Sequence, residues 1–217
     1  MKEEYIKERE KNILGRFKFC RRCEEAFSLI EKFKPLRRPD ILDVGACDGR
    51  MLKSIKDRIT LGKAAGLEEN GYFISLKNDP DINLVKGSAE KLPFENGSFD
   101  IILASSVVEH IKNPDNFFQE AFRVLRKNGV LIVFAAVPFY CSFAVKLKLQ
   151  KNDHYKNFKL SELEEKLCVY GFETICTARF ALPAVASLLK LEMFLEKFFR
   201  LLRLNFLMFY QEIVVKK

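Results

Sequence analysis

Ile41-Leu42-Asp43-Val44-Gly45-Ala46-Cys47-Asp48-Gly49-Arg50 is the stretch on which the reading of this chain turns. Ile41 to Val44 make a short apolar strand carrying one carboxylate, and Gly45 closes it. From Asp48 to Ile59 the residues Met51, Leu52, Ile55 and Ile59 recur at helical spacing. A strand that passes through glycines into a helix gathers backbone amides and the positive end of the helix at one point, where a ligand can approach closely. A dinucleotide would need Gly-x-Gly-x-x-Gly, but Cys47 stands at the second glycine and Arg50 at the third. A P-loop would need Gly-Lys-Ser/Thr, which does not follow.

Outward from this stretch, strand and helix alternate. A helix over residues 3–34 comes first, and Lys34-Pro35 and Arg38-Pro39 break it. After the first strand and its helix, further strands are predicted at Lys63–Leu67, Ile82–Val85, Phe99–Leu103 and Val130–Val137. Helices fall near Asn70–Leu76 and at Phe117–Leu125. The strands are apolar almost without alternation, as strands covered on both faces are. That pattern predicts a parallel sheet with helices on each side. The tail reads as a helix (Leu160–Tyr170), a strand (Phe172–Phe180), a long helix (Ala184–Leu204) and a last strand (Phe206–Val215).

The carboxylates narrow the ligand. Asp43, at the end of the first strand, repels a pyrophosphate and attracts a cation. Glu68 ends the second strand in Ala64-Ala65-Gly66-Leu67-Glu68-Glu69, where it can accept from both hydroxyls of a ribose. A ligand with a ribose, a positive group and no phosphate fits S-adenosylmethionine.

On these residues the chain resembles the class I S-adenosylmethionine-dependent methyltransferases, in the broad "type 11" group that holds many small-molecule and lipid enzymes. ILDVGACDG (41–49) resembles their first motif, and AGLEE (65–69) the acidic end of their second strand. GSAEKLPFENGSFDIILASSVVEHI (87–111) resembles the adenine loop, fourth strand and following helix. NPDNFFQEAFRVLRKNGVLIVFAAVP (113–138) resembles the helix and fifth strand beyond. The resemblance implies a Rossmann-like, seven-stranded, mostly parallel sheet with its last strand antiparallel. It implies one methyltransferase domain over 1–217: a helical lid (1–37), a cofactor-binding half (38–138) and a substrate-covering half (139–217). Asp43, Gly45, Ala46, Cys47, Gly49, Glu68, Glu69, Ser88, Ala89, Glu90, Ala104 and Ser105 are the implied cofactor contacts. Two departures stand out. Cys47 replaces a usual glycine, which is expected to widen the loop, and Ser88 replaces a usual aspartate at the adenine.

The acceptor is less legible. The methyl is expected to face Ala104-Ser105-Ser106, and the Asn/Asp-Pro-Pro-Tyr tetrad of many amino-group methylases is missing. An oxygen or carbon acceptor follows as the expectation, and such a nucleophile can need a base. His110, His154 and Tyr155 are the candidates, His110 set against a bracing role on its helix and His154 against a surface loop. Cys20-x-x-Cys23 has half the ligands of a zinc site and no matching second pair, so no metal is expected.

Composition frames the rest. The net charge of +8 over 217 residues is split into a neutral middle and basic flanks, without the dense stripe of a nucleic-acid binder. The charged amino terminus is not expected to serve as an apolar leader, and Asn128–Val145, the longest uncharged run, holds Pro138 and reads as a strand followed by a loop. A cytoplasmic protein with reduced thiols is the expectation. Residues 184–204 form a basic amphipathic stretch expected to pack on the sheet, with an anionic membrane surface as the alternative. The ten phenylalanines after Pro138 suit an apolar, lipid-like or quinone-like substrate. An RNA or protein methyltransferase, or a cofactor-binding protein of the same fold without catalysis, are the rival readings.

Overall fold

The computed structural model describes residues 13–34, 37–77, 79–146, 154–182, 194–196, 198–199, 201–202, 204 and 208–217. Among them the chain runs α1 (Ile13–Phe33), β1 (Ile41–Val44), α2 (Arg50–Lys56), β2 (Ala64–Glu68), α3 (Gly71–Ser75) and β3 (Asn83–Lys86). It continues through β4 (Phe99–Ser105), a single 3-10 turn (Val108–His110), α4 (Pro114–Val124), β5 (Leu125–Ala136), α5 (Pro138–Lys146), α6 (Leu160–Val169), β6 (Glu173–Phe180) and β7 (Tyr210–Lys216).

The strands form one sheet in the order β3-β2-β1-β4-β5-β7-β6. The first five are mutually parallel, and β7 inserts antiparallel between β5 and β6. The order reverses between β2-β1 and β4, which places a crevice beyond the carboxyl end of β1. β1 is buried throughout and β4 up to its last residue, so neither strand alternates in sequence. Ile41, Ile101, Leu103, Ile132 and Phe134 face one core cluster with α1 and α2. Leu42, Val44, Ile102, Leu131 and Val133 face the other, built with α4 and α6. Asp43 follows Ile41 by two residues and therefore points to the α1 side. The parallel sheet, the two helical layers and the antiparallel last strand agree with the sequence reading.

Several local expectations change. The stretch after Pro138 is a helix, not a loop, because proline fits the first turn, where no amide partner is lost. His110 sits on one 3-10 turn rather than on a helix. α4 and β5 begin three to five residues earlier than their apolar cores suggested, at Pro114 and Leu125. The helical expectation for residues 3–12 lies outside the described residues, as does most of 184–204. Within the described part of that segment Glu196 is buried, while Phe194, Phe198, Leu201 and Leu202 are exposed. The expected packing of Phe198 and Leu202 on the sheet is therefore not what the structure shows. No helix among the described residues is long and apolar enough to cross a membrane.

Candidate functional site

The glycine turn is tied to the neighbouring strand before it reaches α2. The amides of Gly45 and Ala46 both donate to the Leu67 carbonyl, at 2.9 and 3.0 Å. Gly45 and Gly49 take φ of 74° and 81°, the left-handed region that glycine enters without a Cβ penalty. A Cβ on Gly45 would stand 2.7 Å from Val107 Cγ2, so the bare backbone is what lets the β4 loop close over the β1 loop. Cys47 adopts φ 54° between them. The loop keeps a glycine-like path at this departure, at a cost of about 1 kcal/mol for a residue with a Cβ.

Glu68 is held on both oxygens. Cys47 donates its amide to one at 3.0 Å, and Asn70 donates to the other at 2.9 Å. The carboxylate is thus fixed at the rim, between the β1 and β2 loops. The amide of Gly87 donates to the Glu68 carbonyl, which brings the Ser88-Ala89-Glu90 loop alongside. Ser88 Oγ accepts from the Glu90 amide at 3.2 Å, and Ala89 packs on the α4 core. The Glu90 carboxylate accepts from the backbone and side-chain amides of Asn113, so it braces the start of α4. Glu69 is exposed.

Asp43 is buried, and its carboxyl lines a small cavity with Arg22, Ala46, Cys47, Asp48, Met51 and Ser105. Burial pushes the Asp43 carboxyl up to about 8; Arg22 draws it down and the charge of Glu68 pushes it further up. Phe19 and Arg22 come from α1, which therefore covers the crevice, and neither was singled out in the sequence. A signal existed, since Arg22 lies beside Cys23 and Ala26 on the buried stripe of the helix. Ser105 reaches the cavity, whereas Ala104 is fully buried in the α4 and α6 cluster on the other face. Ser106 follows with φ 53°, and its buried hydroxyl has no hydrogen-bond partner among the described residues. Strained, unsatisfied positions of this kind gather at functional sites.

The two histidines meet. The rings of His110 and His154 stand edge to face with centroids 4.7 Å apart. His154 Nδ1 lies 2.6 Å from Asn157 Oδ1, and the amide of Tyr155 donates to the Glu109 carbonyl at 2.9 Å. The segment after residue 153 is thereby fastened to the turn that follows β4. The Tyr155 ring itself is exposed. Glu109 is buried, and its Oε2 has no partner among the described residues. Cys20 is exposed and Cys23 buried, so the pair does not share one face. No group of three or more metal-ligating side chains gathers among the described residues.

Comparison with known proteins agrees with this architecture. Residues 42–133 match the family model described as "Methyltransferase domain". A Thermotoga maritima structure, a protein described as S-adenosylmethionine-dependent methyltransferase, superimposes with a TM-score of 0.72 at 19% identity, over 99% of this chain and 95% of that one. An uncharacterized protein of Methanocaldococcus jannaschii is 30% identical over 140 residues, 62% of this chain and 64% of its own length. A ubiquinone biosynthesis O-methyltransferase of Pelagibacter ubique is 30% identical over 113 residues, 49% of this chain and 46% of its own. The chain thus spans about half to two thirds of the length of these relatives. Strand order and the structural superposition give the Rossmann-like methyltransferase fold. Residues 42–133 are similar to the methyltransferase domain of that family.

The residues present fit the cofactor of that class. The crevice sets carboxylates at the ends of two adjacent strands, which suits a cationic nucleoside and disfavours a phosphate.

Proposed function

We propose that this chain transfers a methyl group from S-adenosylmethionine to an oxygen or carbon nucleophile of a small, apolar acceptor. The observation that carries the reading is the pair of carboxylates, buried Asp43 and rim-fixed Glu68, at the carboxyl ends of β1 and β2 around the glycine turn. Glu68 accepts from the ribose hydroxyls, and Asp43 faces the positive charge of the donor. The Ser88–Glu90 loop, beside Glu68, covers the adenine through the Ser88 hydroxyl and the Ala89 surface. Ala46, Cys47 and Ser105 shape the wall, and Gly45 and Gly49 set the turn.

When bound, the donor supplies a sulfonium methyl with a good leaving group. The protein's share is alignment of the acceptor and exclusion of water. Ser105 and Ser106 border the acceptor side. The paired His110 and His154, on the segment tied to the β4 turn, accept the acceptor's proton where its nucleophile is a hydroxyl. Residues 1–37, 38–138 and 139–217 act here as lid, cofactor half and substrate half of one unit.

A quinone-like or lipid-like acceptor is favoured by the ubiquinone O-methyltransferase relative. It is also favoured by the exposed Phe194, Phe198, Leu201 and Leu202, which lie among Lys197, Arg200 and Arg203 in sequence. Such a surface suits an apolar substrate or the anionic membrane that holds it.

Two measurements test the proposal. S-adenosylmethionine or its demethylated product should raise the melting temperature, while NAD and ATP should not; no shift at saturating ligand would remove the cofactor assignment. Labelled donor incubated with quinone, lipid, RNA and protein fractions should mark the apolar fractions. Label in RNA or protein would replace the acceptor class, and binding without transfer would leave a cofactor-binding protein.

A further inference from the structure

Among the described residues between 194 and 202, the chain is turned the wrong way for water. Residues 194–196, 198–199 and 201 are helical, and Phe194, Phe198, Leu201 and Leu202 recur at i, i+4, i+7 and i+8, one face of a helix. All four are exposed, Leu201 to 80%. Glu196, the one acid of the stretch, is the side chain that is buried, against Arg21 of α1 and the Ala181 amide. An apolar stripe ordinarily faces the core. Here the polar side is anchored and the apolar stripe is left outside.

Topology sets that stripe at the crevice end of the sheet. β1, β4 and β5 are parallel, β7 begins at Tyr210 opposite the end of β5, and β6 ends at Phe180 beside Tyr210. Phe209 gathers the neighbouring elements at this edge. Its carbonyl accepts from the Val137 amide and its amide donates to the Ala181 carbonyl. The Tyr140 ring of α5 stands 4.9 Å from its own ring, and Lys18 Nζ of α1 lies 5.3 Å from it. Phe139, in the first turn of α5, is 70% exposed. α1 runs from this edge toward the start of β1, and Phe19 lines the cavity. Ile13, also exposed, therefore lies about 9 Å further out along the helix axis.

The charges here have one sign. Arg16 on α1 and Lys146 on α5 are exposed, and Lys197, Arg200 and Arg203 interleave with the stripe in sequence. Neither α5 nor the first turn of α1 carries an acid. Exposed apolar groups in such a setting mark an interaction surface, and helices of this composition lie in the headgroup layer of anionic membranes. A second copy fits less well, because a two-fold pairing of this face would set like charges against one another.

Resting on the apolar-acceptor reading above, we propose that the crevice end of the sheet is a docking surface for an anionic lipid bilayer. Phe194, Phe198, Leu201 and Leu202 enter the headgroup layer, and the crevice opens onto the membrane. The acceptor then reaches the site from the lipid phase without crossing water.

The chain has no tryptophan, so one placed by substitution reports contact with lipid. Phe198→Trp and Phe139→Trp lie at this edge, and Thr60→Trp lies exposed at the opposite one, before the start of β2. Each is mixed with vesicles of phosphatidylcholine, alone or with an equal part of phosphatidylglycerol, carrying brominated acyl chains as quencher. The two tryptophans at the crevice edge should be quenched by the anionic vesicles, and Thr60→Trp should not. Wild type should sediment with the anionic vesicles, less so at high salt, and Phe198→Glu should weaken that binding by roughly tenfold or more. Equal binding to neutral vesicles, no binding to either, or equal quenching at Thr60→Trp overturns the proposal. So does a dimer that Phe198→Glu breaks apart, which gives the face to a second copy. Wild-type sedimentation needs no variant, so it decides even where a variant fails to fold. None of these readouts involves the donor, so the melting shift with S-adenosylmethionine tests the methyltransferase reading separately.

Discussion

Asp43 stands in the apolar interior of a sheet, where a charge is costly, and lines the small cavity beyond the carboxyl end of β1. Burial lifts its carboxyl from the ordinary 3.8 to about 8, with the guanidinium of Arg22 opposing and Glu68 adding to the rise. In the ligand-free protein the group therefore holds its proton at neutral pH. Its contribution to stability is fully present below the ordinary value and is lost as pH rises toward 8. On the function proposed above, a cationic donor should reverse the balance and expel the proton. Between pH 6 and 7.5, affinity for S-adenosylmethionine should rise with pH by up to about tenfold per unit. Calorimetry at pH 6.5 in two buffers of different ionisation enthalpy should report close to one proton released. Asp43→Asn should abolish the release and weaken binding; a heat independent of buffer in the wild type would show that Asp43 was already ionised.

At the scale of elements, the β1 turn is the part that tolerates least. Gly45→Ala forces a side chain into φ 74° and a Cβ to within 2.7 Å of Val107. A loss of about 1–3 kcal/mol is expected, read as a lower urea midpoint, together with weaker donor binding because the β4 loop is pushed away. The elements were legible in sequence where one physical signal dominated. β1, β4 and the core of β5 are uninterrupted apolar runs, and no other placement buries them. Asp43 and Glu68 were legible because a carboxylate that ends such a run has few structural reasons to be there. The misses have causes as well. Pro138 reads as a breaker in sequence, yet proline is at home in a helix's first turn, and α5 begins on it. Ala104 and Ser105 are neighbours in sequence, but the pleat sends them to opposite faces of the sheet, Ala104 into the core and Ser105 to the cavity. Arg22 disappeared into the periodicity of α1, because helical spacing says which side is buried and not what the buried side meets.

Across the whole molecule, α1 is joined to the tail as well as to the sheet. Arg21 Nη2 lies 2.7 Å from Glu196 and 2.7 Å from Glu25, with its own side chain almost wholly buried. The same Glu196 oxygen accepts from the Ala181 amide at 3.1 Å. Breaking a buried pair from one side strands the other charge, so Arg21→Met should cost about 3–5 kcal/mol in chemical unfolding. Adding Glu196→Leu should return part of that loss, though not all, since the Ala181 amide is then left without its acceptor. An unchanged midpoint for Arg21→Met would show that the ion pair does not hold the lid to the tail.

The place of β7 bears on how the molecule comes to exist at all. It lies between β5 and β6, yet it follows both in the chain. Until it arrives, β5 presents an open apolar edge and β6 has no neighbour to bond. About seventy residues separate the end of β5 at Ala136 from the start of β7 at Tyr210. At ordinary rates of synthesis, that edge waits on the ribosome for roughly 4 to 15 s. An unpaired edge of this kind invites another strand. The nascent chain therefore passes through a stage in which the β5 edge is open to a foreign strand, and a chain cut short before Tyr210 would keep that edge open for good.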